Sequence, residues 1–459
     1  MGIGFAVCLL GGIAAGQGGW IQRATPVAPS TRGFHDMAYD VVRGVTVLFG
    51  GWDWATFHAD TWEWDGVVWT QRTPAVAPSP RCVHAMTYDM TRGRVVLFGG
   101  AVGSGAGIDN DETWEFDGVT WTQMQPTIRP SPRRGTSMTF DPTRGVCVLF
   151  GGGVTGSGTT VFDDTWEWNG STWTLHMPAV RPPARWNSFL AADWSGRVVM
   201  SGGGVGVYQM LNDTWTWDGV TWQPLTPALQ TTPRRYGGCA FDAQRGVIVA
   251  WSGIDASLSA YPWTWVWDGG NWRLDSRPNA PAGRWATGTA YDFTRGRVVM
   301  FGGYNGATQQ DTWEYEAGPL ATCAISGPGC AGASGVPSLA PLNGALPVLG
   351  TTWTARLGYG TGNGVAALAI GSSDQTWIGG PLPLDLSALG MPGCTLRVST
   401  EFVASMLLSG GNATLAWQLP LTPSLAGFQF FTQALVLEPA ANPFGAVMSN
   451  ALAASTGPY

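Results

Sequence analysis

Lysine is missing from this chain, and all of its basic charge is carried by arginine. The 24 basic side chains are outnumbered by 31 acidic ones, which gives a net charge of −7. A protein that binds nucleic acid needs a basic surface to neutralise phosphates, and this composition supplies none. We therefore expect no nucleic-acid partner.

Other scarcities exclude further kinds of site. The 7 cysteines form no Cys-x-x-Cys pattern, so a structural zinc site is not expected. The 4 histidines form no copper-binding set, and the chain shows neither a Ser-His-Asp arrangement nor a phosphate-binding loop. Beyond the N-terminus, no apolar run approaches the roughly 20 residues that cross a bilayer. The sequence thus predicts no metal ion, no cofactor and no transmembrane segment.

The N-terminus begins with an apolar stretch at residues 3–15 that ends in the small residues Ala14, Ala15 and Gly16. This order is typical of a signal peptide and its cleavage site, so we expect residues 1–16 to be a signal peptide. No basic residue precedes the stretch, which leaves an atypical signal, a different start codon or a disordered apolar tail as alternatives. We expect an exported protein, extracellular or at the cell surface.

Repetition is what the chain has in abundance. An apolar run ending in glycine recurs six times, with its last glycine at positions 51, 100, 152, 203, 253 and 303. The steps between these glycines are 49, 52, 51, 50 and 50 residues. A fixed period of about 50 residues indicates stacked supersecondary units, because one such unit cannot bury its own apolar face.

The second copy predicts four short strands. Residues 81–89 alternate large and small side chains, and residues 94–98 form an apolar strand that ends at a glycine pair. Residues 113–117 and 119–123 follow as the third and fourth strands, on either side of a turn at Gly118. A proline-rich link leads to the next copy. Each copy therefore predicts one four-stranded sheet.

These repeats resemble the kelch family of β-propellers. The glycine pair closes the second strand, and an aromatic residue follows in the third strand at Trp64, Phe116, Trp168, Trp217, Trp267 and Tyr315. A tryptophan follows in the fourth strand at Trp69, Trp121, Trp173, Trp222 and Trp272. The resemblance implies an all-β fold, with a six-bladed propeller over residues 17–318 in the galactose-oxidase-like superfamily.

The sixth copy lacks a fourth strand with its tryptophan. The missing segment has its counterpart at the N-terminus. Residues 18–23 resemble residues 65–72, and Trp20 takes the sequence position of Trp69. We therefore expect the N-terminal strand to complete the sixth blade. This 3+1 closure would leave no open sheet edge between the first and last blades.

Residues 319–459 differ in composition, with only six charged side chains. Apolar and alternating runs between glycine and proline turns predict a small β-sandwich of about seven strands. In an exported protein, Cys330 and Cys394 are our preferred disulfide pair. The segments 384–394 and 449–452 resemble a C-terminal module of exported bacterial proteins, a resemblance that implies export and no particular activity.

The variable loops of a blade of this kind share one face, formed by the links between copies and the segments after each glycine pair. We call it the loop face and expect the binding site there. Its candidate ligand-binding residues are Trp52, Trp54, His58, Tyr208, Tyr261, Trp263, Tyr304 and Asn305. Aromatic rings and amides suit stacking on sugar rings or gripping a protein. The alternative is that the rings fold down and shield the blades.

A ring of arginines is expected on the same face. An arginine precedes the first strand of every copy, and an acid precedes the third strand in all copies except the fifth, which has Trp263. The simplest interpretation is a set of structural Arg–acid pairs. A second interpretation is that Arg234, left without its acid, binds an anionic group.

We predict an exported, non-catalytic binding module that is monomeric and uses the loop face to bind protein or glycan. One alternative is an extracellular carbohydrate-active enzyme or oxidase with a site on that face. Another is a structural spacer in a surface assembly. The oxidases of this superfamily use copper held by His and Tyr, whereas His35 and His84 share a repeat position that predicts packing between blades.

Overall fold

The structure, a computed structural model, describes residues 19–155, 160–206, 209–275, 279–316, 322–342, 346–347, 351–377, 380–419 and 428–456. The predicted signal peptide, residues 1–16, lies outside these ranges. The chain divides into two compact units, Gly19–Ala317 and Gly318–Tyr459. Within the described ranges, no helix has the length and apolar character needed to cross a membrane.

The first unit contains repeated sheets of four antiparallel strands, as the sequence predicts. The first sheet comprises Asp36–Asp40, Val45–Phe49, Thr61–Trp64 and Trp69–Arg72. The second comprises Ala85–Asp89, Arg94–Phe98, Thr113–Phe116 and Trp121–Met124. The third comprises Ser137–Asp141, Val146–Phe150, Thr165–Trp168 and Trp173–His176.

Three further sheets follow the same order. The fourth comprises Phe189–Ala192, Val198–Ser201, Thr214–Trp217 and Trp222–Leu225. The fifth comprises Gly238–Asp242, Val247–Trp251, Thr264–Trp267 and Trp272–Asp275. The sixth comprises Gly288–Asp292, Arg297–Phe301, Thr312–Glu316 and Gly19–Arg23. In that sheet Trp20 lies opposite Tyr315 in an antiparallel pair.

Short strands extend two of the loops. Arg81–Cys82, Ala101–Val102 and Ile108–Asp109 form a small sheet beside the second sheet, and Gly153–Val154 pairs with Thr160–Val161 beside the third. The predicted strand at 81–89 is therefore interrupted. The interruption falls at Val83, whose φ of 57° is left-handed and incompatible with an extended strand.

Tryptophans of the fourth strands connect neighbouring sheets. Each buried indole Nε1 donates a hydrogen bond to a threonine Oγ1 at the start of a third strand in the preceding sheet. The pairs are Trp69 with Thr312, Trp121 with Thr61, Trp173 with Thr113, Trp222 with Thr165, Trp272 with Thr214 and Trp20 with Thr264, at 2.8 to 3.0 Å. Each link satisfies a buried polar group and fixes the register between sheets.

The turn between the first and second strands repeats an Asp-x-x-Arg-Gly pattern in most sheets. In the second sheet, Asp89 Oδ1 accepts hydrogen bonds from the backbone N–H groups of Thr91 and Arg92, and Gly93 adopts a φ of 66°. Arg92 then bonds to Asp89 and to Glu115 on the third strand. These turns are short and cross-linked, so the face opposite the loops is regular.

The second unit contains two larger sheets around one core. Five strands form the first, in the spatial order Thr322–Gly327, Ala446–Ser455, Gln429–Leu437, Gly364–Gly371 and Phe402–Leu408. Ser338–Pro341, Thr352–Gly358 and Asn412–Gln418 form the second. Trp353 from the second sheet contacts Phe430 from the first, with ring centroids 5.3 Å apart.

Smaller elements complete this unit. Thr376–Trp377 pairs with Gly380–Pro381, Leu384–Asp385 pairs with Thr395–Leu396, and Ser387–Leu389 forms a 3-10 turn. A disulfide bond joins Cys330 to Cys394. Both cysteines belong to the hydrophobic core that the two sheets share.

Candidate functional site

A ring of six backbone hydrogen bonds lies at the centre of the six sheets. In each repeat, the residue two positions after the arginine that precedes the first strand donates its N–H to the carbonyl of its counterpart in the preceding sheet, at 2.7 to 3.3 Å. The members are Phe34, Val83, Gly135, Asn187, Tyr236 and Ala286, and the first donates to the last. All six have φ between 52° and 66°. Five of these residues are not glycine, and a left-handed φ is energetically costly for them. The hydrogen bonds of the ring therefore hold their backbone in this conformation.

Aromatic side chains gather on one side of this ring. The aromatic cluster consists of Phe34, Trp52, Trp54, Tyr236, Trp285 and Tyr304, which come from the first, fifth and sixth repeats. The Trp52 and Trp54 ring centroids are 4.3 Å apart, and Trp54 lies 5.3 Å from Tyr304. Such edge-to-face and tilted contacts hold each ring in place.

Trp54 is the exposed member of the aromatic cluster. Its side chain is 46% exposed, whereas the other five members are half-buried. Its φ of 76° is unusual for a bulky residue, and the neighbouring Asp53 stabilises the turn by accepting hydrogen bonds from the backbone of Ala55 and Thr56. The loop therefore holds this indole partly exposed to solvent and in contact with other rings of the cluster.

Polar groups flank the cluster on two sides. Gln309 Nε2 donates a hydrogen bond to Asn305 Oδ1 at 2.7 Å, next to Tyr304. On the other side, His58 Nε2 lies 3.5 Å from Asp53 Oδ2. Burial, assisted by the positive charge of Arg32, lowers the pKa of His58, so its imidazole is neutral at pH 7. Amide and carboxylate groups are thus adjacent in sequence to two members of the cluster, Asn305 to Tyr304 and Asp53 to Trp54.

Five arginines of the loop face form buried ion pairs. Arg32, Arg133, Arg185 and Arg284 each bond through both Nη atoms to Asp60, Asp164, Asp213 and Asp311. Arg81 pairs with Glu112. Burial alone would raise the pKa of Asp60, but the hydrogen bonds and charge of Arg32 outweigh it and lower that pKa.

The fifth sheet departs from this arrangement. Trp263 occupies the acid's sequence position and stacks on Tyr261, with ring centroids 4.4 Å apart and an interplanar angle of 10°. Arg234 is buried and donates one hydrogen bond, from Nη1 to the carbonyl oxygen of Ser252 at 3.0 Å. Burial lowers the pKa of Arg234 to about 9.

A cavity of about 150 Å³ lies below the backbone ring. Asp36 lines it and accepts hydrogen bonds from the backbone N–H groups of Met37 and Met86. Burial raises the pKa of Asp36 to about 7 in spite of these hydrogen bonds. The equivalent positions in the other sheets are Ala85, Ser137, Phe189, Gly238 and Gly288, so this carboxyl is a second departure from the repeat.

The buried histidines are wedged between sheets. His35 Nε2 accepts a hydrogen bond from the backbone of Gly288, and its ring lies 5.6 Å from Phe301. The His84 ring lies 5.8 Å from the ring of Phe49. Burial lowers the pKa of His35 to about 3, which keeps it neutral. Among the described residues, no three His, Cys, Asp or Glu side chains form a group that could hold a metal ion.

The structure separates the predicted site residues into two groups. Trp52, Trp54 and Tyr304 meet in the aromatic cluster, with His58 and Asn305 beside it. Tyr261 and Trp263 stack on each other at the fifth sheet, and Arg234 of the same repeat lies against Phe189 and Trp265. Tyr208 lies outside the described residues.

Sequence reasoning missed three members of the aromatic cluster. Phe34 and Tyr236 follow a ring arginine by two residues, where other copies carry Val83, Gly135, Asn187 or Ala286. Trp285 follows Arg284 by one residue, where other copies carry Gly33, Cys82, Arg134, Trp186 or Arg235. The available signal was that both positions vary in size and polarity from copy to copy.

Comparison with known proteins supports the fold. The structure of YjhT matches with a TM-score of 0.50, covering 66% of this chain and 97% of the YjhT chain at 11% sequence identity. At that identity the likeness concerns the fold alone, which in YjhT is a kelch-like β-propeller. No family model matches the chain, and no curated protein matches it. The similarity and the repeated four-stranded sheets together indicate a propeller-like all-β fold.

Proposed function

We propose that this protein is an exported, non-catalytic β-propeller that binds a glycan on its loop face. The observation that carries the proposal is Trp54, a 46% exposed indole that contacts Trp52 and Tyr304, with the Asn305 amide adjacent in sequence to Tyr304. Sugar rings bind by stacking a C–H face on an aromatic ring while neighbouring polar groups bond to hydroxyls.

The architecture that we propose for the first unit is a six-bladed kelch-type propeller closed 3+1 by the N-terminal strand. Two cyclic sets of hydrogen bonds support it. One is the backbone ring from Phe34 to Ala286, and the other is the set of Trp–Thr links between neighbouring sheets. Pairing of Gly19–Arg23 with Thr312–Glu316 supports the closure.

Export is the second part of the proposal. It is supported by the sequence at residues 1–16 and by the disulfide between Cys330 and Cys394, since disulfides persist in oxidising compartments. We assign residues 319–459 to a β-sandwich of the kind found in exported bacterial proteins. We further propose that the protein acts as a monomer, which light scattering at several concentrations tests directly.

Binding is tested with the full chain on a glycan array, followed by calorimetry with the best ligand. Trp54→Ala is expected to weaken binding at least about tenfold, because the stacking surface is lost. Trp194→Ala is the matched control. Trp194 is 50% exposed, belongs to the turn after the first strand of the fourth sheet and is expected to leave affinity unchanged.

Three outcomes would contradict the proposal. Equal losses in both variants would mean that the effect is not specific to the aromatic cluster. Capture of a protein partner that depends on Trp54, with no glycan bound, would favour protein recognition. Turnover of a bound sugar by the purified chain would favour the enzyme alternative.

A further inference from the structure

Arg234 is the odd member of the arginine ring. Its five counterparts donate to a carboxylate, whereas the acid's position in the fifth repeat holds Trp263. Arg234 is only 2% exposed, as buried as its counterparts that do have an acid. Within the described residues its Nε and Nη2 atoms have no hydrogen-bond partner.

The surroundings of this guanidinium are apolar. Its carbon Cζ lies 5.7 Å from the ring of Phe189 and 5.6 Å from the ring of Trp265. A buried cation that is neither paired nor fully hydrogen-bonded is unfavourable by several kcal/mol. Retaining arginine here opposes stability unless a carboxylate or similar anion reaches it.

The position facing Arg234 is close to solvent. In the five regular sheets the acid's side chain is between 15% and 34% exposed, although the arginine is buried. An anion approaching from the loop face would therefore meet the guanidinium where those carboxylates do. In the fifth sheet Trp263 stands at the acid's sequence position and stacks on Tyr261, which is 36% exposed.

We infer that the fifth sheet contains an anion site in which Arg234 binds a carboxylate of the ligand, with Tyr261 and Trp263 as its aromatic cover. The carboxylate takes the role that Asp164 has toward Arg133 and bonds to Nη2, which in Arg133 donates to Asp164 and in Arg234 has no partner among the described residues. We take this carboxylate to belong to a uronic-acid sugar, and for that choice the inference rests on the proposed function, the binding of a glycan. The aromatic cover suits that choice, because a sugar ring attached to the carboxylate can stack against it.

The test measures thermal unfolding of the full chain with small probes at constant ionic strength. Sodium glucuronate and sodium acetate are expected to raise Tm by about 2 °C, relative to sodium chloride and to neutral glucose. N-acetyl-aspartate amide represents an acidic peptide. If it stabilises the protein more than glucuronate does, the assignment to an acidic sugar is overturned.

Three variants connect the response to Arg234. Arg234→Met is expected to abolish the response to both carboxylates. Trp263→Asp supplies an internal carboxylate and is expected to abolish it too. Trp263→Asn removes the stacking indole without adding charge, so it should keep the response to acetate and weaken the response to glucuronate. The same rise in Tm in the wild type and all three variants, or no rise in the Tm of the wild type, would overturn the proposed site.

The proposed glycan binding and the anion site can fail independently of each other. If acetate stabilises the protein through Arg234 while no glycan binds at Trp54, the anion site stands and the glycan proposal is wrong. If glycans bind through Trp54 and no carboxylate probe acts, the reverse holds.

Discussion

The third and fifth sheets have the same strand order and a buried tryptophan in both the third and the fourth strand, but they differ in the partners of one arginine. Arg133 in the third sheet bonds to Asp164 through two parallel hydrogen bonds. Within the part of the chain that the structure describes, Arg234 in the fifth sheet has a single hydrogen bond, to the backbone carbonyl of Ser252. The same residue type is thus part of the scaffold in one sheet and an unneutralised charge in the other.

The difference teaches where to look for function in a repeat protein. A position that is alike in every copy is explained by the packing that all copies share. A position that breaks the pattern at an energetic cost has no such explanation, so it is a candidate for ligand binding. Arg234, Asp36 and the aromatic cluster are three such departures in the first unit.

The largest expected effect compares the two arginines directly. Arg133→Met leaves Asp164 without its partner and is expected to destabilise the protein by about 3 kcal/mol. Arg234→Met removes an unpaired charge and is expected to change stability by less than about 1 kcal/mol, or to increase it. Urea denaturation followed by tryptophan fluorescence measures both. Equal losses would show that Arg234 is as well compensated as Arg133.

A second departure predicts a dependence on pH. Because the pKa of Asp36 is raised to about 7 in the folded protein, the folded state holds a proton that the unfolded chain has released above about pH 4. Stability contributed by this group is complete below that pH and is lost as pH rises through 7. Between pH 5 and pH 8 the loss is expected to be on the order of 2 kcal/mol.

Asp36→Asn is the control for this prediction, since it keeps a polar side chain and removes the titration. Its free energy of unfolding should change less than that of the wild type over the same pH range. An identical pH dependence in both proteins would assign the effect to other groups.

The smallest expected effect comes from making the fifth sheet resemble the third. Trp263→Asp should be more stable than Trp263→Asn by about 1 kcal/mol, because only the aspartate can pair with Arg234. Comparing these two variants, rather than either one with the wild type, cancels the packing lost with the indole. Calorimetric unfolding below pH 8 measures the difference, and equal stabilities would mean that Arg234 does not reach that position.

Most of the local structure could be predicted from the sequence. The glycine pairs, the turn at Gly118 and the alternating strands predicted an all-β fold of repeated four-stranded sheets, which the structure confirms. These signals are local, since turn chemistry and strand alternation depend on neighbours in the chain. The predicted strand at 81–89 was wrong at Val83, where hydrogen bonding across the centre of the sheets imposes a left-handed backbone.

The candidate site was predicted only in part. Trp52, Trp54 and Tyr304 were placed on the loop face, but Phe34, Tyr236 and Trp285 were not recognised as their neighbours. The reason is that these residues are separated by up to about 250 positions in the sequence and meet only when the first and sixth repeats become neighbours. The sequence also left open whether Arg234 is exposed or buried.

The missing lysine, the six-fold period and the order of turns within each copy were fixed by the chain alone, because each depends on composition or short-range chemistry. Which side chains surround Trp54, and whether a charge such as Arg234 finds a partner, were decided only by the tertiary structure. Both depend on distances between repeats, and contacts of that kind arise from packing rather than from position in the chain.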